Sequence, residues 1–339
     1  MAAGRTGGSV RLQDVAARAG VSMKTVSNVV RGYAHVSPAM RDKVQAAIEE
    51  LGYRPNLTAR RLATGRTGMI ALAIPELDQF YFAEIARLIG EEAERQGYRI
   101  IVEQTLSDVE AERAVIRDRE EGLVDGVIFQ PARIDTLEIA RLRPETPLVL
   151  LGEAARPLTT DHVMIDNTAA ARDGVTMLVR SGRRRVAFLG SVRGDLTEST
   201  QLRLLGYQEA LVAAGIPLDP ALVFHCDGFG VEDGVRAIAA ALSAGVGFDA
   251  VLCRDDHFAM AALRGLAEAD LRVPYDVAVL GWDDTAIARY TTPPLSSVSP
   301  DKAALVRRAL RLLMDRMEGY DGPGRHEIVE HAIVERATT

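Results

Sequence analysis

The stretch VAARAGVSMKTVSNVVRG, residues 15–32, contains two short segments whose apolar residues recur with helical spacing. Gly20 lies between the segments and can adopt the left-handed backbone conformation that ends a helix. Ser22 follows, and its hydroxyl can accept a hydrogen bond from a backbone N–H in the next turn, so we expect it to cap the second helix. Val21 and Val26 have the spacing of a hydrophobic staple around that cap. The stretch therefore predicts two helices joined by a tight turn.

The helical pattern extends to both sides of this stretch. The first helix begins near Leu12 and has Asp14 in its first turn, where the helix dipole favours an anion. A third helix is predicted to begin with Ser37 as its cap and Pro38 in its first turn, and to end at Gly52. Three short helices of this kind indicate an all-α helix-turn-helix domain, whose second helix can enter a DNA major groove. The predicted apolar faces are Leu12, Val15, Ala16 and Ala19, then Val26, Val29 and Val30, then Val44, Ala47, Ile48 and Leu51.

The segment YRPNLTARRLATGRTG, residues 53–68, follows the third helix. Pro55 ends that helix, and Asn56 can cap a short helix that runs through Leu62. A helix of about two turns is marginally stable alone in water. The segment is either a plain linker or a helix that folds on contact with DNA and inserts Leu62 into the minor groove.

The positive charge of the chain is concentrated at its start. Residues 1–66 contain eleven Lys or Arg and four Asp or Glu, a net charge of +7, whereas the whole 339-residue chain carries −7. The remaining residues therefore carry −14. A basic N-terminal part on an acidic body indicates that the N-terminal part binds nucleic acid. Residues 1–9 are predicted to form a disordered tail.

Composition argues against several other classes of protein. No run approaches about 18 apolar residues, and the start MAAGRTGGSVRLQD lacks the apolar core of a secretory signal, so we expect a cytoplasmic protein without a membrane partner. Cys226 and Cys253 have no metal-ligand spacing and are predicted to be buried, reduced thiols. No pair of histidines has the i, i+4 spacing of a helical zinc site, and no cofactor is predicted.

From residue 69 onward, buried strand runs alternate with helical segments. This alternation predicts an α/β body with parallel sheets covered by helices, and its two similar halves predict two doubly wound subdomains with a cleft between them. Helices are expected near 82–96 and 108–121. The strand runs are MIALAIP (69–75), RIIVEQ (99–104), DGVIFQ (125–130), PLVLLG (147–152), RRVAFLG (184–190), LVFHC (222–226), FDAVLC (248–253) and DVAVLGW (276–282).

Polar and aromatic side chains follow the carboxyl ends of these strands, where ligands of open α/β sheets bind. Carboxylates, an arginine and an amide suit sugar hydroxyls, which both donate and accept hydrogen bonds, and aromatic rings can cover the C–H face of a sugar. The candidates are Phe80, Tyr81 and Phe82, then Gln130, Arg203 and Phe229, then Arg254, Asp255 and Asp256 after Cys253, and Asp283 and Asp284 after Trp282.

Several of these side chains have a purely structural explanation. Asp256 and Asp284 are expected to cap the segments that follow them. Phe82 is expected in the core, and Trp282 is either core or cleft wall. The paired aspartates lack a third ligand, so no metal site is predicted.

The ordered string VRLQDVAARAGVSMKTVSNVVRG, followed by HVSPAMRDKVQAAIEELGYRPNLTARRLATGRT, resembles the lactose-repressor/galactose-repressor (LacI/GalR) family, and a looser likeness continues through the remaining chain. The resemblance implies that the second helix reads bases through Met23, Lys24 and Asn28. It implies phosphate or groove contacts by Ser22, Thr25, Ser27 and His35. It also implies a minor-groove wedge at Leu62, with Asn56, Ala59 and Arg60 around it.

The resemblance further implies a body like that of a periplasmic sugar-binding protein, with chain crossings that we place near 162–166, 293–298 and 320–325. The expected domains are a helix-turn-helix domain (10–54), a hinge helix and linker (55–67) and a ligand-binding and dimerisation domain (68–339). The latter would comprise an N-subdomain (about 68–163 and 296–321) and a C-subdomain (about 164–294 and 325–339). Effector contacts are implied for Gln130, Arg203, Phe229, Asp255 and Asp283, to which we add Tyr81 from its place after the first strand.

The sequence departs from the family pattern at three positions. Arg11 precedes the first helix where relatives offer a threonine cap. Gly152 stands where several relatives carry a cleft aspartate, and Asp255 stands where many carry asparagine. Because the last two differences change the polarity of the cleft, a lactose-type or purine-type effector is not carried over.

These observations favour a DNA-binding transcriptional regulator, a repressor that reads a near-palindromic DNA operator as a homodimer under the control of a small-molecule effector, for which a sugar is favoured. A sugar-binding transport protein would have a similar body but not the N-terminal helices. An enzyme is disfavoured, because neither GxxxxGK[ST] nor a GxGxxG after the first strand is present and no nucleophile arrangement stands out.

Overall fold

The computed structural model describes residues 10–30, 33, 35–53, 66–117, 123–142, 146–153, 159–192 and 197–339. The chain divides into two compact units, Met1–Thr67 and Gly68–Thr339. Within the described ranges, no helix is both long enough and apolar enough to cross a membrane.

The described residues of the N-terminal unit form three helices, α1 (Leu12–Ala19), α2 (Met23–Val30) and α3 (Pro38–Leu51). They pack around a small apolar core, because each helix turns one apolar face inward. The fully buried members of this core are Val15, Val26 and Val44, and Ala16, Ala19, Val29, Ala47 and Tyr53 complete it.

The predicted helix ends have clear physical causes. Gly20 ends α1 with a φ of +62°, and the Ser22 hydroxyl caps α2 by accepting a hydrogen bond from the Thr25 N–H at 3.1 Å. At Arg11, which lacks a capping hydroxyl, the backbone N–H instead donates to the Asp14 carboxylate at 2.7 Å. The expected Ser37 cap was wrong in one respect, since Ser37 occupies the cap position but its side chain makes no capping hydrogen bond.

Some predictions lie outside the described residues. These are the disordered tail (1–9), the end of α2 at Gly32 and the hinge positions Asn56, Ala59, Arg60 and Leu62.

In the part of the second unit that the structure describes, the strands form two six-stranded sheets, ordered β11-β5-β4-β3-β1-β2 and β12-β10-β9-β8-β6-β7. Every neighbouring pair is parallel except β10 and β12, which are antiparallel. The strands are β1 (Met69–Ile74), β2 (Arg99–Gln104), β3 (Gly126–Phe129), β4 (Leu148–Leu151), β5 (Asp161–Ile165), β6 (Val186–Val192), β7 (Val223–Cys226), β8 (Ala250–Cys253), β9 (Ala278–Trp282), β10 (Ser296–Pro300), β11 (His326–Val329) and β12 (His331–Val334).

Helices cover these sheets, so the central strands are buried on both faces and consist of continuous apolar runs. The helices are α4 (Phe80–Arg95), α5 (Val109–Arg117), α6 (Thr136–Leu142), α7 (Asn167–Arg180), α8 (Glu198–Ala213), α9 (Val231–Ser243), α10 (Asp256–Glu268) and α11 (Lys302–Met317). The predicted α/β fold class and the predicted strand runs are confirmed, whereas β5, β10, β11, β12, α6, α7 and α11 were not predicted.

The chain passes between the two sheets at Asp166, Asp301 and Glu330. The first crossing falls within the predicted 162–166, although β5 extends the N-subdomain to Ile165 rather than 163. Asp166 caps α7 by accepting a hydrogen bond from the Ala169 N–H at 2.9 Å.

The other two predicted crossings were wrong. Residues 296–300 form β10 beside β9, so they belong to the C-subdomain and the crossing follows them. Residues 320–325 do not cross either, because β11 still belongs to the first sheet and only β12 joins the second. The Pro/Gly-rich loop is held to the first sheet by Arg316, which donates to the carbonyls of Gly322 at 2.8 Å and Pro323 at 3.1 Å.

Candidate ligand-binding cleft and DNA-reading surface

The predicted base-reading residues lie at the outer side of α2. Met23 is 55% exposed and Lys24 is exposed, while Asn28 is half-buried one turn later. The Ser22 and Thr25 hydroxyls bond one another at 2.9 Å, which fixes the first turn of the helix. Ser27 is half-buried and His35 is exposed beyond the end of α2. The unit thus presents a polar, cationic helix face to solvent, as a groove-reading helix requires.

A cleft lies at the carboxyl ends of the strands of both sheets and contains about 1120 Å³ of space, part of it open to solvent. All the predicted effector residues line it: Tyr81, Gln130, Arg203, Phe229, Asp255 and Asp283. Further lining residues that the sequence had not assigned to the cleft include Glu76, Gln79, Ser107, Arg133, Glu153, Thr197 and Glu198.

Arg203 forms the centre of the cleft floor. Its guanidinium lies 4.2 Å above the ring of Trp282, its Nε donates to Asn167 Oδ1 at 2.7 Å, and a terminal nitrogen donates to the Arg254 carbonyl. Asn167 in turn donates to Glu153 Oε1 at 2.6 Å. Burial lowers the pKa of Arg203, and the neighbouring Asp283 and Glu153 oppose that shift. The guanidinium is therefore held in one orientation by residues of the C-subdomain, and Asn167 links it to Glu153 of the N-subdomain.

Asp255 is engaged by the protein itself. It caps α10 by accepting from the Phe258 N–H at 2.9 Å, and its other oxygen accepts from Arg254 at 2.8 and 2.6 Å. Burial alone would raise the pKa of Asp255, but Arg254 and the Phe258 N–H together outweigh it and hold the pKa below its usual value. Arg254 itself packs 4.8 Å from the centre of the Phe229 ring. Asp255 therefore lines the cleft and also fixes the side chain of Arg254, another lining residue.

The expected caps at Asp256 and Asp284 were wrong. Asp255 caps α10, and the buried Asp256 carboxylate instead accepts from Thr285 N and Oγ1, both at 2.7 Å, and from Ser297 Oγ at 2.8 Å. Burial raises the pKa of Asp256 to about 6. Asp284 accepts from Arg336 at 2.6 Å, so both carboxylates tie separate chain segments together.

Asp283 faces the cleft from a left-handed turn. Its φ is +95° and that of Asp284 is +47°, conformations that side-chain-bearing residues rarely adopt. Within the described ranges no hydrogen bond reaches the Asp283 carboxylate, although the residue is only 8% exposed. Burial raises its pKa to about 7, with further increases from Asp256 and Asp255, while Arg203 and Lys302 oppose the shift. A buried carboxylate of this kind is suited to a ligand hydroxyl.

Two other buried polar atoms of the lining lack a hydrogen-bond partner among the described residues, the Gln130 Oε1 acceptor and the Trp282 Nε1 donor. Trp282 is fully buried, so it is both core and cleft wall. Phe82 is half-buried, and Phe80 stacks on His257 with ring centres 4.6 Å apart. Burial raises the pKa of the Tyr81 hydroxyl, which therefore stays protonated and can donate. Within the described residues, no group of three acidic, His or Cys side chains is arranged to hold a metal ion.

Glu153 is the acidic residue that sequence reasoning missed. Gly152 has a φ of +78°, and a Cβ there would lie 3.1 Å from Gln130 Nε2, so this backbone disfavours a side chain at 152. The next residue supplies the carboxylate and reaches Asn167 across the cleft. The sequence offered one signal for this residue, an acidic side chain one position after Gly152, where several relatives carry the cleft aspartate.

Comparisons with known proteins agree with this architecture. A family model for bacterial regulatory proteins of the lacI family matches residues 11–56, and one for a periplasmic binding protein-like domain matches residues 175–339. The HTH-type transcriptional regulator CelR of Thermobifida fusca is 36% identical over 326 residues, which cover 91% of this chain and 92% of CelR. The chain belongs to the lacI family of bacterial regulatory proteins.

Solved structures share the fold of this lacI-family protein. A complex of transcriptional regulator CelR with cellobiose has a TM-score of 0.72 at 32% identity, over 97% of this chain and 100% of that one. The lac repressor dimer bound to operator and the anti-inducer ONPF has a TM-score of 0.84 at 29% identity, over 98% and 99% of the two chains. The predicted family and the two-subdomain body are thereby confirmed.

Proposed function

We propose that this chain is a transcriptional repressor of the cytoplasm that binds a near-palindromic operator as a dimer and responds to a saccharide in its cleft. The observation that carries the proposal is that one chain combines an exposed polar helix α2 with a cleft lined by hydrogen-bonding groups that have no partner among the described residues. Relatives of similar length are named as transcriptional regulators, which supports a regulator rather than an enzyme.

The chemistry of the cleft supports a saccharide. Asp283 and Gln130 offer acceptors, Trp282 Nε1 and the Tyr81 hydroxyl offer donors, and a sugar hydroxyl can serve either kind. The CelR structure contains cellobiose, a neutral disaccharide, which supports a ligand of the same chemical class here. A second carboxylate at Glu153 disfavours anionic ligands such as sugar phosphates.

The test begins with selection of DNA from a random library by the purified full-length protein. Fluorescence anisotropy on the selected DNA, at several salt concentrations, then measures affinity with and without cellobiose, maltose, lactose, glucose, ribose, adenosine and cytidine. We expect a near-palindromic consensus and a shift of about tenfold or more in the operator Kd by a saccharide. Selection without any consensus would contradict the regulator, and a response to nucleosides alone would contradict the saccharide.

A further inference from the structure

Lys302 is the only lysine after Lys43, in a chain that otherwise uses arginine for its basic side chains. It is the first residue of α11 and follows the crossing at Asp301 directly. Although it is charged, it is only 8% exposed. Lysine is rarely buried to this degree unless its ammonium group is fully paired, so its partners indicate its role.

The ammonium group uses all three of its N–H donors. It donates to Glu84 Oε2 at 2.7 Å, to the Asp283 carbonyl at 2.7 Å and to the Asp284 carbonyl at 3.0 Å. Three acceptors converge on one nitrogen, which a compact ammonium group satisfies and the planar fork of a guanidinium does not. This geometry explains why lysine rather than arginine occupies the position.

The three acceptors are divided between the two subdomains, with one in the first and two in the second. Glu84 lies on α4, which packs on the first sheet and whose first turn carries the cleft residue Tyr81. The two carbonyls belong to the left-handed turn that follows β9 of the second sheet and presents the Asp283 carboxylate to the cleft. Lys302 therefore connects the turn that faces the ligand with a helix of the opposite subdomain, beside a point where the chain crosses.

The remaining contacts of the turn make it a discrete, fixed structure. The Asp283 N–H donates to the Val298 carbonyl at 2.8 Å, and the Asp284 N–H donates to Ser297 Oγ at 2.9 Å. Because its backbone is held on one side by β10 and on the other by Lys302, displacement of the turn must move or break the bond to Glu84.

We propose that Lys302 is a positioning residue that couples ligand occupancy at Asp283 to the position of α4 through Glu84. The proposal rests on the proposed function, since it specifies how a saccharide in the cleft alters the N-subdomain and thereby DNA affinity. Coupling of this kind needs a physical element that both sites bias, and the Glu84–Lys302–turn bridge is such an element.

The test uses the full-length protein with Glu84→Gln, Lys302→Met and the double variant. Neither residue lines the cleft, and Glu84→Gln leaves the Lys302 bonds to the turn in place. The matched control is Glu91→Gln, which removes the same charge from an exposed position of α4 whose one ion pair among the described residues is with Arg87. Circular dichroism and thermal unfolding establish that each variant folds.

Two ratios are measured, with cellobiose or whichever saccharide shifts the wild-type protein most. One is the change in operator Kd on adding the saccharide, and the other is the change in saccharide Kd on adding operator, which must be equal if the two sites are coupled. In Glu84→Gln we expect both ratios to fall from about tenfold to below about threefold, with saccharide affinity in the absence of DNA changed less than about threefold. Glu91→Gln should match the wild type, and the double variant should lose no more coupling than Lys302→Met alone.

Wild-type ratios in a folded Glu84→Gln variant would overturn the proposal, even if operator and saccharide binding are as proposed. Equal loss in Glu91→Gln would also overturn it, because the effect would then follow charge rather than the bridge. If the wild-type protein selects no operator or responds to no saccharide, the proposed function itself has failed, and the coupling role falls with it.

Discussion

At Asp283, backbone conformation and burial together create an unusual carboxyl group. The left-handed turn points the side chain into the cleft, where little water reaches it and no hydrogen bond from the described residues compensates for its charge. Burial therefore raises its pKa to about 7, although Arg203 and Lys302 lie near enough to oppose the shift. Near neutral pH the Asp283 carboxyl is protonated in some molecules and ionised in others. It can therefore either donate a hydrogen bond to a ligand hydroxyl or accept one from it.

The raised pKa predicts how stability depends on pH. Between about pH 4 and 7 the folded protein keeps a proton on Asp283 that the unfolded chain releases, so stability should rise as pH falls through 7. From pH 8 to 5.5 we expect the wild type to gain about 1–3 kcal/mol more than Asp283→Asn does. The measurement is urea unfolding of the ligand-free protein, followed by the fluorescence of the sole tryptophan, Trp282.

Other carboxyl groups do not obscure this comparison. Asp256, with a pKa of about 6, changes stability in the same direction in both proteins. Asp161, whose carboxylate is bound by Arg325 and Arg316, has its pKa lowered to about 2, so its contribution is lost only below about pH 4. An identical pH dependence in wild type and Asp283→Asn would show that Asp283 is ionised across the whole range.

A second prediction at this scale concerns the DNA-reading helix. Asn28→Ala should weaken operator binding by about 1–3 kcal/mol, because an asparagine that reads a base makes paired hydrogen bonds to it. Binding to random DNA should change much less, since that affinity comes from phosphate contacts. Anisotropy titrations on both DNAs give the comparison, and an equal loss on the two would reject the base-reading role.

Neighbouring residues show the limit of sequence reasoning at this scale. The placement of the cleft residues at strand ends followed from the topology, and those side chains do line one cleft. Which of two adjacent aspartates caps α10 depends on backbone orientation, and Asp255 rather than Asp256 does so. The bond between Glu153 and Asn167 joins two subdomains, so no local pattern could predict it.

At the scale of elements, the contact between α7 and α8 determines the position of Arg203. Gly206 lies one turn after Arg203 on α8, and a Cβ there would lie 2.1 Å from the Thr168 carbonyl and 2.9 Å from the Ala171 side chain. The two helices approach this closely because glycine has no side chain. The approach brings Arg203 within hydrogen-bonding distance of Asn167 at the start of α7.

Gly206→Ala should therefore destabilise the protein by about 1–3 kcal/mol, since the rigid backbone of α7 must move to admit the methyl group. It should also weaken saccharide binding through the displacement of Arg203.

The matched control is Gly90→Ala in α4, where the added Cβ meets only the flexible end of Ile100 at 3.4 Å. There the gain in helix propensity should leave stability unchanged or raise it by up to about 1 kcal/mol. Urea unfolding measures both variants, and equal stabilities would contradict the close-packing argument.

The serine-rich strand β10 shows why sequence reasoning can miss a strand. Apolar runs such as Met69–Ile74 are recognisable because both faces of a central parallel strand are buried. β10 contains Ser296 and Ser297, which are fully buried. The Ser296 hydroxyl accepts from the Arg336 N–H and bonds the Thr339 hydroxyl, and the Ser297 hydroxyl donates to Asp256, so the partners of both are distant in the chain. The segment near 293–298 was instead placed as a crossing from the family resemblance, since the partners that make a serine-rich strand stable are visible only in the folded protein.

At the scale of the whole molecule, the crossings between subdomains are linked to one another. The Asp301 N–H donates to the Glu330 carbonyl at 2.9 Å, and Lys302 follows immediately. Two crossings are thus joined by a hydrogen bond, and the bridge from Lys302 to Glu84 lies beside them. A change in the angle between subdomains would be concentrated at this point, far along the chain from the DNA-reading helix.

The proposed dimer makes a geometric prediction about DNA. Two identical reading helices related by a two-fold axis engage half-sites on the same face of the duplex, so their spacing along the helix is fixed.

Inserting five base pairs between the selected half-sites rotates one of them by about half a turn, because a full turn is about 10.5 base pairs. We expect affinity to fall to that of a single half-site, and an insertion of ten base pairs to recover part of it. Residues 1–66, with their net charge of +7, should keep the affinity for DNA of unrelated sequence unchanged in every case. Anisotropy on the three DNAs, with analytical ultracentrifugation to count chains per duplex, makes the measurement. Equal affinity for the parent and five-base-pair DNAs would mean that each chain binds alone, and the dimeric mechanism would then have to be abandoned.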